Sequence, residues 1–199
     1  MRLKKIMPLI LLTVLLLPLS AGAFWPWNKK AVEQKTPVAV ESGLSESAQA
    51  VADAKYRLFE NGFEKKDIEA VIANRDSFWF TLDELVYLSN KESATAKNPL
   101  LKNLVLSSEN GALKVSAEFQ RVIKGKLSFV LKPKTVGARL YTEIEKARLY
   151  GIPIPSTWIS RSFNRELDSY LNFLYQDERY QGVDINIDNE MVKINLSFN

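Results

Sequence analysis

Strict alternation of apolar and polar positions dominates the second half of this chain. Leu113, Val115, Ala117 and Phe119 alternate with Lys114, Ser116, Glu118 and Gln120, which predicts a strand with one greasy and one wet face. Residues 102–108 form the preceding strand, joined to it through the turn signal Glu109-Asn110-Gly111. Beyond Gly125, Leu127, Phe129 and Leu131 alternate with Lys126, Ser128 and Lys132. A strand over residues 139–150 keeps Leu140, Thr142 and Ile144 on one face. Ala147 and Leu149 then take the apolar role from the opposite parity, the signature of a β-bulge near Lys146. A last hairpin pairs Val183, Ile185 and Ile187 with Val192, Ile194, Leu196 and Phe198 across Asp188-Asn189-Glu190. Six meandering strands with one apolar face, and helices to cover it, predict an α+β domain with a curved antiparallel sheet.

The period changes to three and four in the segment between the last two pairs of strands. Ile159, Phe163, Leu167, Tyr170, Leu171 and Leu174 make one apolar stripe of a long amphipathic helix, and Trp158 and Phe173 lie off it. Gly151-Ile152-Pro153-Ile154-Pro155 must be extended, because each proline lacks an amide hydrogen and biases its predecessor away from helix; Ser156 then offers an N-cap. Near the other end, residues 45–60 are helix formers with a weak apolar face of Ala48, Val51, Ala52, Lys55, Leu58 and Phe59, closed by a C-cap at Asn61-Gly62. Residues 65–74 read as a second short helix, with a strand at residues 71–73 as the alternative. An aromatic extended run at residue 77 leads into a helix capped by Thr81, with Asp83 and Glu84 at its positive end and Leu82, Leu85, Val86 and Leu88 inward. Residues 89–99 are polar and read as a loop.

Residues 1–23 have the layout of a secretory signal peptide: Arg2, Lys4 and Lys5, then an apolar run, then Ala21-Gly22-Ala23. That changes the charge argument. The chain has 27 basic and 23 acidic residues; three basic and no acidic ones lie in the signal, so 24 against 23 remain, a net +1. A nucleic-acid role, which needs a concentrated basic footprint, loses its support. There is no cysteine and no histidine, which removes disulfides, a lipobox cysteine, the commonest general base and the commonest zinc ligand. Phe24, Trp25 and Trp27 are either a disordered end or an aromatic contact with a membrane surface. Residues 24–43 read as a flexible linker, 44–76 as an N-terminal helical segment and 77–199 as the main domain, in a protein exported to a periplasm or cell envelope.

The order of these elements resembles a known family. An aromatic strand leading into TLDEL, an ENG hairpin, a GKLSFVLKP strand, a strand ending in ARLYGIPIP, an amphipathic helix and a terminal hairpin around DNE look like the small bacterial envelope members of the tubular lipid-binding (TULIP-like) superfamily. The likeness covers residues 78–198, and the LYGIPIP segment is its most distinctive part. It implies a curved sheet wrapped about the long helix, with an apolar groove between them that accepts acyl chains and no catalytic motif. The groove is then lined by Leu127, Phe129, Leu131, Leu140, Ile144, Ile152, Ile154, Trp158, Ile159, Phe163 and Leu167. The same residues would equally pack into a closed core. This chain has one such unit where larger members have more.

Little else points to chemistry. No G-x-S-x-G segment exists, and the carboxylate pairs Asp83/Glu84 and Glu143/Glu145 read as a helix-end charge and a solvated strand face. Asp184, Asp188 and Glu190 lack the spacing of a calcium loop. Lys126, Lys132, Lys134, Arg139 and Arg148 read as solvated residues or as a rim that attracts anionic headgroups. The expectation is a non-enzymatic lipid-binding protein without metal or cofactor. The alternative is an interaction module with a closed core, whose residues 45–74 or sheet edge bind another envelope protein.

Overall fold

A computed structural model describes residues 43–95, 101–119, 125–188 and 190–199. The expected signal segment, the aromatic triplet and the expected linker up to residue 42 lie outside the described residues, as do residues 96–99 of the expected loop and Asn189 of the last turn. In chain order the elements are α1 (Glu46–Phe59), a π-helical turn (Glu60–Glu64), α2 (Ile68–Asn74), a 3-10 turn (Arg75–Ser77), β1 (Trp79–Thr81) and α3 (Leu82–Thr95). There follow β2 (Leu101–Glu109), β3 (Ala112–Phe119), β4 (Gly125–Val136), β5 (Arg139–Leu149), β6 (Ile152–Pro153), α4 (Ser156–Tyr175), β7 (Tyr180–Asp188) and β8 (Met191–Phe198).

The class is α+β, with eight strands in two open antiparallel sheets where the pattern had suggested six in one. One sheet has the order β2-β3-β4-β5-β6 and the other β1-β8-β7. The division follows from two strands too short to show periodicity. Trp79–Thr81 supplies β8 with a partner, so the last hairpin has no need of the first sheet. Ile152–Pro153 occupies the C-terminal end of the free edge of β5. Turn chemistry was legible: Asn110 and Gly111 both take left-handed backbone, at φ 52° and 70°, as a type I′ hairpin requires. So was the bulge. Lys146 sits at φ 51°, the β4–β5 register shifts there, and burial passes from Leu140, Thr142 and Ile144 to Ala147.

Several local readings are corrected. The chain does not cap at Asn61-Gly62 but winds through the π-helical turn and reverses at Lys66, φ 55°, where Asp67 N–H reaches Gly62 O at 2.9 Å. Gly62 is set by packing, because a Cβ there would stand 2.7 Å from the Val71 side chain. Residues 71–73 are helical; Asp67 caps α2 by accepting from Glu69 N–H and Ala70 N–H, both at 3.1 Å. Residues 89–95 continue α3, whose Leu82, Leu85 and Leu88 are buried as the stripe required. The N-cap of α4 is Pro155, with no side-chain cap, and Ser156 is the first helical residue.

One core joins both sheets and all four helices. The N-terminal helical segment enters it through a ring cluster. Phe59 stacks on Phe63 with centroids 4.4 Å apart, and Phe63 stacks on Tyr170 of α4 at 6.2 Å and meets Phe78 and Phe173 edge-on. Such pairs add about 0.5–1.5 kcal/mol each beyond their buried area. Residues 46–63 are thereby packed on the same helix that covers the sheet.

Candidate functional site

The candidate site is the seam between α4 and the five-stranded sheet. Its geometry starts from a problem: beyond β6, β5 is an edge strand with unpaired N–H groups. The polar side of α4 answers it. Ser160 Oγ accepts from Ile144 N–H at 3.1 Å, and the Tyr175 hydroxyl oxygen accepts from Leu140 N–H at 3.3 Å. Between them Asn164 behaves as a peptide group of a missing strand. Its Oδ1 accepts from Thr142 N–H at 2.7 Å and its Nδ2 donates to Thr142 O at 3.0 Å, with the Thr142 hydroxyl also 2.9 Å from Oδ1. The helix is held lengthwise along the edge of β5, and its apolar stripe turns onto the inner face of the sheet.

The predicted lining residues fall into three groups. Leu127, Phe129, Leu131, Leu140, Ile144, Ile159, Phe163 and Leu167 are all part of the one core cluster, none more than 7% exposed. Ile154 is half-buried against the same cluster, its N–H bonded to Ala147 O at 3.0 Å, while Ile152 is 66% exposed. The side chain of Trp158 lies outside the described residues. The structure thus buries the strand and helix residues in the common core, and leaves the LYGIPIP corner exposed, with Tyr150 61% exposed. Gly125 belongs to this corner, because the Tyr150 ring lies where its Cβ would be. The five rim cations are not gathered: Lys132 pairs with Glu145 at 2.8 Å, Arg139 lies 5.2 Å over the Tyr175 ring, and Lys126, Lys134 and Arg148 are exposed.

Burial shapes the titration of the tyrosines on and beside α4. Tyr175 is pushed up to about 12, mainly by desolvation, partly offset by the Leu140 N–H that favours its oxygen. Tyr170 and Tyr180 are raised as well, for the same first reason. The Tyr170 hydroxyl is buried and has no hydrogen-bond partner among the described residues. Tyr170→Phe should therefore leave stability unchanged or raise it by about 1 kcal/mol, since an unsatisfied buried group is removed and the ring stack kept. Urea unfolding checks this, and a loss of more than about 1 kcal/mol would show that the hydroxyl has a partner after all.

Sequence reasoning also missed a polar centre in the core. Lys55, read as part of an apolar face, is buried with Glu84, its Nζ 2.8 and 2.9 Å from the two carboxylate oxygens and 3.2 Å from the centroid of the Trp79 ring. Glu84 Oε2 also accepts from Thr81 N–H at 2.8 Å while Thr81 Oγ1 accepts from Glu84 N–H at 3.1 Å, a complete capping box. The T-x-x-E spacing was the available signal. With both oxygens engaged, Glu84 serves structure, and Glu145 is taken by Lys132. Among the described residues no three Asp or Glu side chains are grouped to hold a metal ion, Asp184, Asp188 and Glu190 included, and no helix is long and apolar enough to cross a membrane. No known family model, curated protein or solved structure matches the chain.

Proposed function

We propose that this is an exported, non-enzymatic lipid-binding protein of a cell envelope, which takes one acyl chain into the seam between α4 and the five-stranded sheet, with the sheet curved about the helix as in the TULIP-like proteins. The observation that carries the reading is the seam itself: an unbroken apolar stripe from Ile159 to Leu174 on the helix held along β5, buried over its length and adjoining a corner where Tyr150 and Ile152 are exposed. Exposed apolar side chains of this size at one corner suit contact with lipid. The polar bonds from Ser160, Asn164 and Tyr175 to the edge of β5 suit opening, because water replaces each at little net cost. Burying ten methylenes of a chain would contribute about 8 kcal/mol, enough to offset much of the cost of association.

The absence of cysteine permits a direct test of this route. Thr142→Cys with Asn164→Cys places a disulfide between side chains already in contact. The reduced variant should take up a fluorescent fatty acid and the oxidised form should lose uptake at least tenfold. Uptake by neither the reduced variant nor the unmodified protein would contradict the proposal, and equal uptake by both redox forms would contradict entry past β5. A second reading, an interaction module with a closed core, is favoured by the burial of the eight seam residues, and it is the one left standing if no form takes up lipid.

A further inference from the structure

The face of the five-stranded sheet turned away from α4 carries a hollow that the lipid reading does not use. Cross-strand register places Val105, Ser116, Ser128 and Arg148 in one rank across β2, β3, β4 and β5, and Ser107, Lys114, Val130 and Glu145 in the next. Their neighbours in sequence, such as Val115 and Phe129, are buried on the other face, so these side chains point outward. Short serines in the middle and long cations around them leave an open depression of about 300 Å³, with Val115 and Phe129 at its floor. The β5 bulge completes it. The extra residue, Lys146, is turned outward on the same face as Glu145 and Arg148, while Ala147 between them goes inward.

The lining has one sign of charge and several hydroxyls. Ser107, Ser116 and Ser128 offer O–H donors, Lys114, Lys146 and Arg148 offer cationic N–H donors, and no carboxylate lines the hollow. Two carboxylates stand outside it: Glu109 pairs with Lys114 of the lining and also feels the charge of Lys146, and Glu145 pairs with Lys132. Lys146 and Arg148 make no ion pair among the described residues. Two cations without an ion pair and a row of hydroxyls are donors in search of an acceptor with several oxygens, and a guanidinium beside an ammonium matches phosphate in both charge and geometry.

We infer that this hollow is an oxyanion site for a phosphate group, borne either by a small soluble molecule or by a lipid headgroup. The site stands independently of the seam, since it lies on the opposite face of the sheet. Inorganic phosphate titrated at constant ionic strength against the isotope-labelled protein should produce saturable amide shifts at Ser116, Ser128, Lys146 and Arg148, which chloride does not. Flotation with phosphatidylglycerol vesicles, against phosphatidylcholine vesicles, distinguishes the sources: retention on the anionic vesicles alone assigns the lipid headgroup, and phosphate shifts without retention assign a soluble ligand. In either arm K146Q/R148Q should weaken binding at least tenfold, and K134Q/K193Q, which removes the same charge from exposed positions elsewhere, should leave it within twofold. The inference is overturned by no saturable binding in either arm, or by equal loss in the two double variants.

Discussion

Glu84→Ala should cost about 3–5 kcal/mol of unfolding free energy, one of the two largest losses expected from a single change, because it strands a buried Lys55 ammonium. The same side chain closes the capping box on Thr81 N–H, whose loss accounts for about 1 kcal/mol of that figure. Glu84→Gln isolates the two roles. It keeps an acceptor for the cap and for the ammonium but removes the countercharge, so it should lose distinctly less than alanine. Lys55→Met with Glu84→Gln should then recover stability, since no buried charge remains. Urea unfolding measures all three, and an alanine variant within about 1 kcal/mol of the parent would mean that Lys55 reaches water in solution.

Phe63→Ala is the second, at about 3–5 kcal/mol, the range for emptying a large aromatic site in a packed core. Phe63 is 1% exposed and touches rings of α1, the segment before β1, and α4. The loss should appear in one cooperative transition, followed alike by tryptophan fluorescence and by circular dichroism. Two separated transitions, with residues 46–74 melting first and the sheet unaffected, would show that the N-terminal helices are an appendage.

What could be read from the residues depended on period. The β2–β3 hairpin, the bulge at Lys146 and the stripe of α4 were legible because each rests on a repeated apolar spacing or on a turn with a demanded backbone. Trp79–Thr81 and Ile152–Pro153 were not, since strands of three and two residues carry no periodicity, and with them went the division into two sheets. The edge cover on β5 was hidden for another reason. Ser160, Asn164 and Tyr175 lie on the polar side of α4, where sequence alone cannot separate a residue facing water from one facing an exposed backbone. Lys55 shows the same limit reversed: its burial depends on a partner 29 positions away.

Of the proposed site, the strand and helix residues could be named from pattern as facing inward, and they belong to one core cluster. Their near-complete burial was not predictable, because alternation says which face turns inward and nothing about the space left between faces. The polar hollow on the outer face was missed because its serines and lysines, taken one at a time, are ordinary outward strand positions. Only the register across four strands brings them together.

The most direct measurement is native mass spectrometry of the protein purified without detergent, before and after extraction with organic solvent and refolding. An acyl-chain ligand held along α4 predicts an extra mass of one lipid per chain before extraction, its loss afterwards, and its return when lipid is added back. A bare chain throughout, with no lipid retained after the addition, would contradict the account.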